Sequence, residues 1–219
     1  MSYKIKNIVL DYDGVLVDSM ELCLPRWNAI SKKLGNGKNI TRKIVKQTFR
    51  GGWQNFYQTI LGVPQIKLDE ANEIYRKLSK KSKKPELFPG IKDVVSSLSE
   101  KFTLYVVTAS STDNVKNNLK EQGILKYLQD VWGQDKMPNL KKSQPEFILT
   151  PLQYWKIKPS NACSIGDTED EIRTGKLAGL HTIACTWGWN DVSLLKKVKP
   201  EFIVNNPSQI LRAVSQLNN

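Results

Sequence analysis

Ile5-Lys6-Asn7-Ile8-Val9-Leu10-Asp11-Tyr12-Asp13-Gly14 is a β-branched, apolar run that ends in an acidic turn. Such a run reads as a buried central strand that stops at Asp11. Downstream, from Glu21 to about Ser82, the apolar residues fall at helical spacing with no strand among them. Leu22, Trp27, Ile30 and Leu34 make one stripe, and Ile44, Val45 and Phe49 a second. Phe56, Ile60 and Leu61 make a third, and Ala71, Ile74, Tyr75 and Leu78 a fourth. Strands and helices then alternate: helix Ile91–Ser99, strand Thr103–Val107, helix Thr112–Gln122, a short strand near Val131 and helix Glu146–Trp155. Strand Ala162–Ile165, helix Asp170–Ala178, strand Thr182–Cys185, and a last strand and helix from Phe202 and Ser208 complete the series. Alternation of this kind predicts an α/β fold with a parallel sheet covered on both faces. The helical block interrupts that fold after its first strand, giving a core of residues 1–16 and 86–219 and a cap of residues 17–85. The exits are Val17 to Ser19 and the Pro- and Gly-punctuated stretch from Lys84 to Gly90.

Composition narrows the function. The 219 residues are 40% apolar and 25% charged, as expected of a globular chain with a sizeable core. No apolar run approaches the roughly 18 residues needed to cross a bilayer, so no membrane role is expected. The opening MSYKIKNIVL does not read as a signal peptide, and a cytoplasmic location is expected. Cys23, Cys163 and Cys185 form an odd set without a Cys-x-x-Cys pair, consistent with core thiols in a reducing compartment. His181 is the single histidine, which argues against polyhistidine zinc sites and Ser-His-Asp hydrolysis. Lys plus Arg number 33 against 21 Asp plus Glu, a net charge of +12 that favours anionic partners. The lysines 77, 80, 81, 83 and 84 gather at the end of the last cap helix, where cations suit the helix dipole. Aromatic residues are not interleaved with them to stack bases, so nucleic acid is not the expected partner.

Chemistry-bearing residues cluster where strands end, the edge at which open α/β folds bind ligands. Asp11 and Asp13 stand two apart, so an extended chain points both the same way. A second acidic group, Asp167-Thr168-Glu169-Asp170-Glu171, follows another strand. Carboxylates brought to about 5 Å repel by roughly 3 kcal/mol per pair at an effective dielectric near 20. Oxygen ligands with no histidine or thiolate nearby call for a hard cation, Mg²⁺ above all. Thr108 and Ala109 open a hydroxyl-rich turn before a helix, and Lys142 precedes another helix; together they can hold a phosphoryl group.

These stretches resemble the haloacid dehalogenase superfamily, in its phosphoglycolate phosphatase and β-phosphoglucomutase-like branch. DYDGVLVDS matches the DxDGxLxDS signature, and Thr108 in VVTAS resembles the second motif. Lys142 in KSQP resembles the third motif, with Ser143 replacing its first proline. IGDTEDEI resembles the fourth motif, with Glu171 where the family carries aspartate and Asp170 one residue earlier; either can serve as the second acid. The resemblance implies a Rossmann-like core with a mobile helical cap and a Mg²⁺-dependent phosphatase acting on a small phosphorylated metabolite such as phosphoglycolate. It implies Asp11 as the nucleophile forming an aspartyl-phosphate and Asp13 as the acid and base. It further implies Thr108 and Lys142 as phosphoryl ligands, and Asp11, Asp13 and Asp167 with Glu171 or Asp170 as the metal set. Arg50 and Gly51, in a Gly-rich break of the cap, either contact the substrate or form a plain helix-helix turn with Trp53 packed in the cap. Trp187-Gly188-Trp189 is expected to frame the core rim. A phosphomutase and a catalytically idle binding protein with a basic surface are the alternatives; a monomer or homodimer is expected.

Overall fold

The computed structural model describes residues 5–80 and 82–218; Lys81 of the basic cluster lies outside them. Six parallel strands form one sheet in the order β3-β2-β1-β4-β5-β6. They are β1 (Asn7–Leu10), β2 (Thr103–Val107), β3 (Asp130–Trp132), β4 (Ala162–Gly166), β5 (His181–Cys185) and β6 (Phe202–Val204). β1 pairs with both β2 and β4, so the chain reverses its direction of winding beside it, and the cleft beyond β1 is the topological switch point. The burial of Ile8, Val9 and Leu10 follows from helices on both faces. One face packs Ile8, Leu10, Leu104 and Val106 against α5 (Ile91–Ser99), α6 (Thr112–Glu121) and α10 (Gln209–Leu217). On the other face Val9, Val107 and Trp132 meet α7 (Glu146–Tyr154), while Ala184 meets α8 (Glu169–Leu177) and α9 (Val192–Lys197).

Among the described residues four α-helices form the insert: α1 (Met20–Leu34), α2 (Arg42–Thr48), α3 (Gly52–Thr59) and α4 (Leu68–Ser79). They enclose their own apolar cluster around Trp27, Ile30, Val45, Phe56 and Leu61. In α1 the buried stripe is Met20, Cys23, Trp27, Ile30 and Leu34, one helical face, so Leu22 lies to its side. The two connections to the core run side by side: Val17 bridges Leu87, Asp18 N–H donates to Glu86 O at 3.0 Å, and Phe88 N–H donates to Leu16 O at 3.0 Å. Two further departures from the sequence reading are local. β1 starts at Asn7 and not at Ile5, whose N–H donates to the Asn218 side chain at 2.8 Å, and α9 is an extra element too short to show a period.

Candidate active site

β1 ends at Leu10 and Asp11 follows it, with Tyr12 turned into the core, where its hydroxyl accepts from Asn118 Nδ2 at 2.5 Å. The alternation sends Asp11 and Asp13 the other way. Asp11 is buried, and Lys142 Nζ donates to its Oδ1 at 2.7 Å. The same ammonium donates to Glu171 Oε1 at 2.5 Å. Thr174 on α8 holds the Lys142 carbonyl at 2.8 Å, so the loop carrying the lysine is tied to the helix carrying the glutamate. Glu171 Oε2 in turn accepts the N–H groups of Asp167 at 3.0 Å and Thr168 at 3.3 Å, while Thr168 Oγ1 accepts Glu171 N–H: a capping box that fixes the β4-α8 turn.

Asp167 is fully buried, and its Oδ2 accepts Trp189 N–H at 2.6 Å. It fits only because Gly14 (φ +88°) and Gly188 carry no side chain; a Cβ on either would stand 2.2 Å from that oxygen. Asp11, Asp167 and Glu171 each offer an oxygen within 4.8 Å of the others. Three carboxylates thus crowd beside one ammonium, which bonds two of them, Asp11 and Glu171. Burial, and then the charge of Glu171, push the Asp11 carboxyl well above the usual range despite Lys142. Burial, Glu171 and Asp11 do the same to Asp167. Burial acts against Glu171 too, but Lys142 and the two backbone donors hold it below its ordinary value. Burial alone would lower Lys142, yet Asp11 and Glu171 raise it, so it stays charged. Asp11 Oδ2 and Asp167 Oδ1 are buried with no hydrogen-bond partner. Two orphaned carboxylate oxygens in an all-oxygen nest fit a hard divalent cation, whose charge would remove the repulsion.

Other residues singled out from the sequence sit around this cluster. Asp13 lines the cleft between core and cap and accepts Ser110 Oγ at 2.7 Å. Thr108, fully buried just after β2, accepts Ser110 N–H at 3.1 Å, and Ala109 lines the cleft. The start of α6 engages two N–H groups internally, Asn114 with Ser111 Oγ and Thr112 with Asp135 Oδ1, so those two do not face a phosphate. Asp170 and Glu171 part company. Glu171 joins Asp11 and Asp167, whereas Asp170 Oδ2 accepts the N–H of Gly51 in the cap at 2.6 Å. Arg50 turns to Glu169 at 3.7 Å and does not line the cleft; Gly51 does. Trp53 is not packed away in the cap but stands 39% exposed.

Several residues of the site escaped the sequence reading. Trp187-Gly188-Trp189 does more than frame a rim: it supplies the space and the N–H that hold Asp167. Asn190, also buried, accepts Glu169 N–H at 2.7 Å and donates to Phe49 O in the cap at 3.0 Å. A glycine between two tryptophans straight after a strand was the available signal for that turn. Ser110 carried none beyond lying in a hydroxyl-rich turn.

A family model described as haloacid dehalogenase-like hydrolase matches residues 8–185. A phosphoglycolate phosphatase of Synechococcus elongatus is 27% identical over 96% of this chain and 97% of its own length. Pyrophosphatase PpaX of Listeria monocytogenes is 25% identical over 98% of each chain. A haloacid dehalogenase-like family hydrolase from Streptococcus pneumoniae superposes with a TM-score of 0.79 at 24% identity, covering 95% of this chain and 98% of that one, a likeness of fold.

Proposed function

The chain belongs to the haloacid dehalogenase-like hydrolase family, and from that premise we propose that it is a Mg²⁺-dependent phosphatase that hydrolyses a small phosphomonoester through an aspartyl-phosphate on Asp11. The observation that carries this reading is the Lys142 ammonium bridging Asp11 and Glu171 beside two orphaned aspartate oxygens. Asp11 attacks phosphorus, and its approach to an anionic group requires compensating positive charge. Lys142 supplies one fixed part of that charge, and Asp11, Asp167 and Glu171 would hold the cation that supplies the other. A bound Mg²⁺ would draw charge from the phosphoryl oxygens and let the carboxylates ionise together. Thr108 and Ala109 flank the phosphoryl group, with the Thr108 hydroxyl proton free to donate to it. Asp13, on the cleft side and oriented by Ser110, protonates the leaving oxygen and then takes a proton from the attacking water. Glu171, not Asp170, acts as the second acid of the fourth motif, and Asp170 with Glu169 holds the cap loop. The idle binding protein loses its ground here, since the glutamate completes the cluster.

Phosphoglycolate, named for the Synechococcus relative, is the first substrate to assay. Phosphate release from phosphoglycolate and 4-nitrophenyl phosphate, with and without Mg²⁺, is compared with isomerisation of β-glucose 1-phosphate. Phosphate release that needs Mg²⁺ and falls more than about a thousandfold in Asp11→Asn is expected. Isomerisation without net hydrolysis would make the protein a phosphomutase, and turnover intact in Asp11→Asn would remove the aspartyl-phosphate route.

A further inference from the structure

The cleft over Asp13 and Lys142 opens into a cavity of about 520 Å³ between core and cap. That volume lies within the roughly 300–1,000 Å³ of pockets that bury a drug-sized ligand. Resting on the phosphatase reading, three features of this cavity bear on the leaving group it takes.

The first is size. An acid as short as glycolate leaves most of the space to water set against an aromatic wall, where water finds few partners. The second is charge. A carboxylate on the leaving group calls for a cation, yet the basic side chains lining the cavity among the described residues are Lys141 and Lys142, and Lys142 is already paired with Asp11 and Glu171. Arg50 is turned to Glu169, and Arg26 is buried behind Tyr75, with its guanidinium carbon 5.0 Å from the ring centroid. The third is the wall itself. Phe49, Trp53, Tyr57 and Tyr75 line the cap side, and the Trp53 ring is set edge-on to Tyr57 at 5.3 Å and 67°. Trp53 and Trp27 both line the cavity, and Trp53 remains 39% exposed while Trp27 is 2% exposed, so of the two indoles Trp53 is the one with surface left for a ligand to cover. An uncovered indole in a pocket is a stacking platform. The amides of Gln54 and Asn72 line the same cavity and can donate and accept along the edge of a stacked ring.

We propose that this phosphatase selects phosphomonoesters whose leaving group carries a flat nitrogen heterocycle, a nucleoside 5′-monophosphate or its like, stacked on Trp53. The bond between phosphorus and the 5′ oxygen breaks as Asp11 attacks, and that oxygen takes its proton from Asp13 and leaves as the nucleoside alcohol. Water then opens the aspartyl-phosphate, releasing inorganic phosphate and restoring Asp11.

The test compares kcat/KM, with Mg²⁺ present, for uridine and adenosine 5′-monophosphate against ribose 5-phosphate and phosphoglycolate. Ribose 5-phosphate keeps the alkyl phosphate and lacks the base. A nucleotide-to-ribose-phosphate ratio of about ten or more is expected from one stacked base. Trp53→Ala is expected to lower that ratio about tenfold, chiefly through KM, and Trp53→Phe to retain most of it. A ratio near one in the wild type, or a ratio unmoved by Trp53→Ala, overturns the inference while the phosphatase stands. Failure to hydrolyse any of these esters or 4-nitrophenyl phosphate overturns the phosphatase reading, and this inference with it.

Discussion

Glu171 serves two neighbours with one carboxylate: Oε2 caps the first turn of α8 and Oε1 receives Lys142. An aspartate at that position is a methylene shorter and could not hold both contacts from the same backbone, which gives the departure from the family pattern a physical sense. Asp167 is confined more tightly still, by glycines on two sides. Gly188→Ala places a methyl group against its Oδ2 without demanding a strained backbone. The expected result is a rise of about 10- to 100-fold in the Mg²⁺ concentration that half-saturates phosphate release, the range seen when groups that orient metal ligands are lost. An unchanged Mg²⁺ requirement would mean that Asp167 is not held against Gly188. Asp11, Asp13, Thr108 and Asp167 were legible because each comes just after a strand, and Lys142 because it precedes a helix, all within a recognisable pattern. Trp189 and Gly188 act through a backbone N–H and a missing side chain, so the Trp-Gly-Trp pattern marks the turn without showing that it holds Asp167.

Among the elements, the α2-α3 turn and the N-terminus of α8 are joined across the cleft. Gly51 N–H donates to Asp170, Arg50 pairs with Glu169, and Asn190 donates to Phe49 O. Trp189 reaches the cap from the same loop, with its ring 4.8 Å from Phe49 and 5.5 Å from Trp27. These contacts tie the cap to the helix that also carries Glu171. On the function proposed above they would hold the cap over the cleft as a lid, and releasing them would admit substrate and water. Asp170→Ala removes the acceptor of a hydrogen bond to a charged group, worth about 1.5–3 kcal/mol. Amide exchange of Gly51 is therefore expected to speed up about tenfold or more, with exchange in β1 and β4 unchanged. Equal protection of the turn in wild type and variant would show that Asp170 does not hold the lid. The elements themselves were mostly readable, since α5 and β2 match their apolar periods residue for residue. The contacts between cap and core were not, because they join residues as far apart as Gly51 and Asp170 through loops with no period.

For the molecule as a whole, the sheet supplies the means of concentrating negative charge at one place. β1 and β4 are adjacent and parallel, so Asp11 and Asp167, far apart in the chain, emerge side by side at the switch point, both buried. Without a cation this arrangement costs stability. Both aspartates have folded-state pKa values raised above the unfolded value near 3.9, so ionising them destabilises the fold as pH rises above about 4. A divalent cation binds the ionised forms and reverses that cost, which makes its benefit grow with pH. Thermal unfolding at pH 5 and pH 7.5, with and without Mg²⁺, tests this. At pH 7.5 and a Mg²⁺ concentration 100 times its dissociation constant, a gain of about 2.7 kcal/mol, or roughly 5–10 °C in Tm, is expected. The gain should shrink at pH 5 and vanish in Asp167→Asn. An equal Mg²⁺ effect at both pH values, or one that survives Asp167→Asn, would contradict the account.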